Sequence, residues 1–167
     1  MVELSGIKQV WFVISPQNPH KVSHSLAHEF DRYDMVQAAV ADNFNLKVSD
    51  VEFQLPKPSY TVDTLAYLSE QFPDHKFSLI IGEDNLISFP RWKNHEAILQ
   101  YYDLLVYPRP RKTTSTLLVH PHVHRVEAPL IHISATYIRS LIQQGRSIKY
   151  LVPEPVEGII ALRNLYR

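Results

Sequence analysis

The chain has 167 residues, 45% hydrophobic and 20% charged, with 17 lysines and arginines against 17 aspartates and glutamates. That length and balance fit one folded domain, 1–167, with its own core, and give no general attraction for nucleic acid or an anionic membrane. There is no cysteine, which excludes a disulfide scaffold, a thiolate metal site and a cysteine nucleophile.

No run of about 18 apolar residues offers a membrane span. The opening residues Met1, Val2, Glu3 and Leu4 lack the basic and apolar stretches of a signal peptide. A cytoplasmic location is therefore expected, and the missing cysteines fit a reducing compartment.

The first element is the apolar run Val10–Ile14, rich in β-branched and aromatic residues and stopped at Pro16, as a strand buried on both faces reads. A loop with two prolines follows and ends at Lys21. That lysine is either a solvated loop residue or a phosphate partner beyond a strand end. His20, His24 and His28 recur every four residues and would share a helix face; without carboxylate partners in the pattern, no metal is assigned to them. Asp31 to Phe44 has helical spacing through Met35, Val36, Ala39 and Val40. Val48 to Phe53 is a weaker strand candidate.

Pro56 and Pro58 then break the chain before a helix expected over Thr61 to Phe72, with Ser59 or Thr61 as its cap. The free N–H groups of that first turn either only start a helix or hold an anion such as a carboxylate. Phe77–Ile81 is a second strand run, ended by Gly82. Gly82 permits close backbone approach of a ligand. Asp84 offers a carboxylate to ribose hydroxyls, and Trp92 a flat face to a heteroaromatic ring.

Leu104–Tyr107 is the third strand, followed by Arg109, Arg111 and Lys112, a solvated loop or a phosphate guard. His120, His122 and His124 alternate ahead of a weaker strand at Val123 to Val126; Pro121 and the lack of a fourth ligand leave them without a metal assignment. The last helix expected is Ala135 to Gln144, with Gly145 as C-cap. Its start brings Ser134 as N-cap, the Thr136 hydroxyl and the Arg139 guanidinium together with free N–H groups, the makings of a phosphate site.

Strands of about five residues alternating with helices of about twelve predict βαβ units and an α/β fold, a Rossmann-like doubly wound parallel sheet with helices on both faces. Ligands of such sheets bind beyond the carboxyl ends of the strands.

Five segments, in order, carry a resemblance: Ser-Pro-Gln-Asn-Pro-His-Lys from Ser15, Ser-Tyr-Thr-Val-Asp-Thr from Ser59, Gly-Glu-Asp from Gly82 with Trp92 following, Arg109-Pro110, and Ile-Ser-Ala-Thr-x-Ile-Arg from Ile133. Between Val10 and Leu151 the chain resembles the bacterial nicotinate-mononucleotide adenylyltransferases of the nucleotidyltransferase superfamily. Ala135 replaces the second serine of that family's last motif.

The resemblance implies transfer of AMP from ATP, with Mg2+, to nicotinate mononucleotide, giving deamido-NAD and pyrophosphate. It places Lys21 near phosphates, Tyr60 and Thr61 at the nicotinate carboxylate, and Trp92 on the pyridine ring. Arg109 falls by the nucleotide, Gly82 and Asp84 at the adenosine of ATP, and Ser134, Thr136 and Arg139 at its phosphates. The partners implied are these small molecules, with neither nucleic acid nor membrane, and a homo-oligomer is compatible with the sequence.

The family opens with a strand and the motif Gly-x-Phe-x-Pro-x-His-x-Gly-His, which has no counterpart here. No histidine is therefore assigned as catalytic, and the sheet is expected to lack its first, central strand. Three origins are compatible: an internal start, a degenerate relative, or a partner chain that fills the gap, with the first preferred. A nucleotide-binding relative or truncated form without turnover is the second functional reading. A phosphopantetheine adenylyltransferase is the third, disfavoured by Tyr60, Thr61 and Trp92.

Overall fold

The computed structural model describes residues 1–16, 26–109 and 115–167. Lys21, His20, His24, Pro110, Arg111 and Lys112, each singled out above, lie outside these residues. In chain order the elements are α1 (Val2–Ser5), β1 (Val10–Val13), α2 (Glu29–Val40), β2 (Leu46–Ser49), α3 (Thr61–Gln71), β3 (Ser78–Gly82), α4 (Glu83–Ser88), α5 (His95–Tyr101), β4 (Asp103–Tyr107), β5 (Val123–Arg125), α6 (Ala135–Gln143) and α7 (Glu154–Leu162). Short 3-10 turns occupy Val51–Phe53, Phe89–Arg91 and Thr116–Val119.

All strand pairs are parallel, with α2 between β1 and β2 and α4 and α5 between β3 and β4, so the α/β expectation holds. The strands form two sheets, one ordered β1-β2 and one ordered β3-β4-β5. Among the described residues β1 and β3 each have one strand partner, and so each presents an edge. The chain divides into two compact units. One comprises residues 1–8 and 59–130, the other residues 9–58 and 131–167.

The first unit is built on β3-β4-β5. Leu79 pairs with Leu104, Ile81 with Val106 and Leu104 with Val123. Leu104, Val106, Leu86, Phe89 and Ile98 are wholly buried in its core. Successive side chains of a strand face opposite ways, and yet Leu104, Leu105 and Val106 are all buried, as the uninterrupted apolar run anticipates for a parallel strand covered on both sides.

At the amino end of β4, Asp103 takes Lys76 Nζ on Oδ2 at 2.9 Å. Its Oδ1 meets His122 Nδ1 at 2.9 Å and His124 Nε2 at 3.4 Å. The hydrogen bond from His122, then that from Lys76, hold this carboxyl well below the usual carboxylate range. Two of the alternating histidines thus converge on one carboxylate, and among the described residues no group of three histidine, aspartate or glutamate side chains is placed to hold a metal.

The second unit packs α2, α6 and α7 around Met35, Leu141, Ile148, Val156 and Ile160. Arg163, at the end of α7, forks onto Asp31 and Asp34 of α2, each at 2.7 Å. Val156 and Ile160 stand four residues apart and so share the inward face of α7. That helix was not anticipated, since Pro155 and Gly158 interrupt its pattern.

Three boundaries differ from expectation. The strand expected at Val48 to Phe53 runs instead over Leu46–Ser49. Ser49 Oγ accepts the Val51 N–H at 3.4 Å, Asp50 turns at φ −99° and ψ 14°, and the chain leaves the strand in a 3-10 turn. Helix α2 starts at Glu29, capped by His28, whose Nδ1 accepts the Phe30 N–H at 3.5 Å. It ends at Val40, and Phe44, read as part of it, is 95% exposed. The cap of α3 is neither Ser59 nor Thr61 but Tyr60, in extended conformation. The Tyr60 carbonyl opens the helix by accepting the Asp63 and Thr64 N–H groups at 3.0 and 3.1 Å.

Candidate active site

In the first unit the candidate residues gather beyond the carboxyl end of β3-β4 and at the start of α3. Gly82 closes β3 at φ −74° and ψ 149°, a conformation open to any residue. Its lack of a Cβ instead leaves room for two side-chain ends that a methyl would displace. A Cβ there would run into Asp84 Oδ1 and meet Arg109 Nε at 2.9 Å and Arg109 Nη2 at 3.1 Å. Asp84 and Arg109 close over Gly82 in an ion pair, Oδ1 to Nε 3.0 Å, with both side chains about half exposed. The close approach that Gly82 allows is thus made by two of the chain's own candidate residues.

Glu83, between Gly82 and Asp84, is 4% exposed. Its Oε2 accepts the Arg109 backbone N–H at 3.3 Å, and its Oε1 lies 3.7 Å from Arg125 Nε. The sequence reading passed over this carboxylate. The only signal was a second acid directly after a strand-ending glycine, which reads as a surface residue.

Thr61 opens α3 directly after Tyr60, and both are partly exposed. Lys93 Nζ lies 4.6 Å above the Tyr60 ring and 2.8 Å from Asp63 Oδ2. Lys93 was not singled out from sequence, although it directly follows Trp92. A cation over an aromatic face gains roughly 0.5–1 kcal/mol at an exposed site, which keeps this positive charge beside the α3 N-terminus. Trp92 is half-buried, with its ring packed on Phe89 at 5.3 Å between centroids. Phe89 is fully buried, so the indole is seated on the core.

In the second unit, Ser134 is the N-cap of α6, and its Oγ accepts the Tyr137 N–H at 3.1 Å. Thr136 Oγ1 accepts from Arg139 Nη2 at 3.4 Å. Both hydroxyls keep their own hydrogen to donate. With the N–H groups of the first turn and the guanidinium one turn on, these make a concentrated set of donors for phosphate oxygens. The Arg139 guanidinium stands 5.9 Å from the Tyr166 ring. Burial pushes the Tyr166 phenol up, and the nearby Arg139 charge opposes that shift. The motif Ser134, Thr136 and Arg139 is therefore brought together as expected, while Lys21 lies outside the described residues.

A cytidylyltransferase-like family model matches residues 1–141. A protein of Cytophaga hutchinsonii named as a probable nicotinate-nucleotide adenylyltransferase is 57% identical over 166 residues, covering 99% of this chain and 86% of the relative. Proteins of the same name from Flavobacterium johnsoniae (43% identical, 100% of this chain, 88% of the relative) and Bacteroides fragilis (39%, 91% and 76%) also match. Among solved structures, Plasmodium falciparum nicotinic acid mononucleotide adenylyltransferase complexed with NaAD shares the fold. It has a TM-score of 0.78 at 18% identity, over 98% of this chain and 84% of that one. The chain belongs to the cytidylyltransferase-like family and, within it, to the nicotinate-nucleotide adenylyltransferases.

Proposed function

We propose that this chain transfers the adenylyl group of ATP to nicotinate mononucleotide, giving deamido-NAD and pyrophosphate, and acts as one nucleotidyltransferase-like domain. The observation that carries the reading is the donor cluster on the first turn of α6, Ser134, Thr136 and Arg139, in a chain 57% identical to a relative bearing that name. The family model spans residues of both compact units, which supports reading them as one domain.

In this reading a phosphate oxygen of the mononucleotide attacks the α-phosphorus of ATP. The bond from that phosphorus to the bridging oxygen breaks, and pyrophosphate leaves. The nucleophile is already an anion, and so no general base is needed. Catalysis rests on positioning and on cations that balance the charge spreading over the phosphates. Gly82 and Asp84 line the adenosine pocket, with Arg109 beside them. Ser134, Thr136 and Arg139 hold ATP phosphates, and Lys21 is assigned to phosphate. Tyr60 and Thr61 hold the nicotinate carboxylate, largely by backbone amides, and Trp92 stacks on the pyridine. No histidine of this chain is assigned a catalytic role.

Magnesium commonly binds through substrate phosphates with one or two carboxylates at most. In this reading the ion is delivered on ATP. When bound there it supplies charge neutralisation of the leaving pyrophosphate. Both substrates carry phosphates that an apolar bilayer excludes, and we place the reaction in the cytoplasm. No helix of the described residues is long and apolar enough to cross a membrane.

The test is pyrophosphate release by this chain with ATP, magnesium and nicotinate mononucleotide. Release that requires the mononucleotide supports the reading. Binding of both ligands without release would favour the non-catalytic reading, and binding of neither would overturn both.

A further inference from the structure

We propose that Glu83 is a positioning residue. Its buried carboxylate fixes the backbone at Arg109 and thereby sets the reach of the Arg109 guanidinium onto Asp84 over Gly82. The inference rests on the nucleotide-site reading above.

Glu83 follows β3 directly, Arg109 lies two residues past the end of β4, and Arg125 is the last residue of β5. One carboxylate therefore joins the carboxyl ends of three neighbouring strands, the end at which open α/β sheets bind ligands. A carboxylate this buried is strongly disfavoured unless it is hydrogen-bonded and paired. Of its two named partners, the Arg109 N–H at 3.3 Å is within hydrogen-bond reach. Arg125 Nε, at 3.7 Å on a half-exposed side chain, is an ion-pair neighbour screened by water.

The consequence falls on Arg109. Its preceding residue, Pro108, is buried, while its own side chain is 47% exposed. An exposed arginine loses much rotamer entropy when held in one place. Anchoring its backbone to Glu83 fixes the point from which the side chain sets out, and from there the guanidinium meets Asp84 at 3.0 Å. The chain thus presents the pair already assembled, as preorganised binding requires.

Two conservative variants separate reach from charge. Glu83→Gln keeps an oxygen acceptor at the same length and loses the charge facing Arg125. Glu83→Asp keeps the charge and draws the acceptor back by one methylene. Titration calorimetry with ATP plus magnesium, and separately with nicotinate mononucleotide, is run on the wild type, both variants and Arg109→Ala, with melting temperatures alongside.

The expected result is that Arg109→Ala weakens ATP. Glu83→Asp should weaken the same ligand by about five- to tenfold, the net scale of one hydrogen bond, with Glu83→Gln within about twofold of wild type for both ligands. Equal weakening of both ligands by Glu83→Asp, or a Glu83→Gln protein as weak as Glu83→Asp, overturns the proposal. A merely structural role would lower the melting temperature without reproducing the ligand profile of Arg109→Ala. Should Glu83→Asp not fold, Glu83→Gln decides alone: retained ATP affinity supports the proposal and its loss overturns it. If the wild type binds both ligands and Glu83→Asp changes neither, this inference alone fails. If the wild type binds neither, the nucleotide-site reading fails and this inference with it.

Discussion

Gly82→Ala separates binding from stability, because two independent terms act on it. The backbone at φ −74° accepts alanine without strain. Losing a glycine from the unfolded chain stabilises by about 0.4–1 kcal/mol where the native conformation is compatible. Against this, the new methyl would run into Asp84 Oδ1 and sit 2.9 Å from Arg109 Nε, and the ion pair must part. Both side chains are about half exposed, and an exposed pair is worth roughly 0.2–1 kcal/mol. The two terms nearly cancel, so the melting temperature should move by no more than about 4 °C for a chain of this size.

Binding of ATP has no such compensation. On the role proposed for Asp84, its displacement costs hydrogen bonds to the ribose hydroxyls, which at about 1.5–3 kcal/mol for a charged acceptor means roughly ten- to a hundredfold weaker ATP. Thermal melting and titration calorimetry with ATP plus magnesium read the two quantities. An unaltered ATP affinity would remove Asp84 from the site. A fall of more than about 8 °C would show that Asp84 and Arg109 cannot yield to the methyl, and that the side-chain freedom assumed for them is wrong.

Trp92→Ala should weaken nicotinate mononucleotide by about tenfold through loss of a stacking face, with ATP little changed, and Trp92→Phe should recover much of the loss; calorimetry showing equal loss for both ligands counts against the assignment. Arg139→Ala should weaken ATP most, by roughly tenfold or more for a charge-assisted phosphate contact; unchanged ATP affinity in the same titration sinks that role. Asp103→Asn should destabilise the fold at neutral pH. Because the folded carboxyl titrates below its unfolded value of about 3.9, its stabilising contribution is present above that value and is lost as pH falls below it. Urea midpoints of wild type and variant should therefore converge at acid pH, and a constant gap from pH 7 downward would refute the ion-pair account.

Much of the fold was legible because a parallel strand covered on both faces leaves an unbroken apolar run. Leu79 to Ile81 and Leu104 to Val106 are such runs, and they became β3 and β4. Val48 to Phe53 misled because apolar spacing does not register a hydroxyl competing for backbone: Ser49 Oγ takes the Val51 N–H and ends the strand early. Phe44 misled in the same way, as an apolar residue left almost wholly in solvent. The site was legible where one short segment carries all its chemistry, as Ser134, Thr136 and Arg139 do. It was not legible where the partner is remote in sequence. Glu83 to Arg109 spans 26 residues, Lys93 to Asp63 spans 30, and Asp103 collects His124 from β5 and His122 from just before it. Local pattern holds no record of such pairings; the parallel register of β3, β4 and β5 creates those of Glu83 and Asp103, and the packing around the start of α3 that of Lys93.

That division follows from the chemistry proposed here. Adenylyl transfer with an anionic nucleophile requires donors and cations at set distances more than any one reactive side chain. Donors from a helix start can be written into four or five consecutive residues, because the helix itself supplies their geometry. Cations at the ends of strands have no such local template. Arg109 is aimed because Glu83 holds its backbone and Asp84 its guanidinium. Lys93 is aimed because Tyr60 lies beneath it and Asp63 beside it. In both cases a carboxylate remote in sequence fixes the position of a cation. Drawing such a carboxylate back while keeping its charge, as Glu83→Asp does, therefore tests the placement more sharply than removing the cation, since a lost cation abolishes the contact whatever its placement was worth.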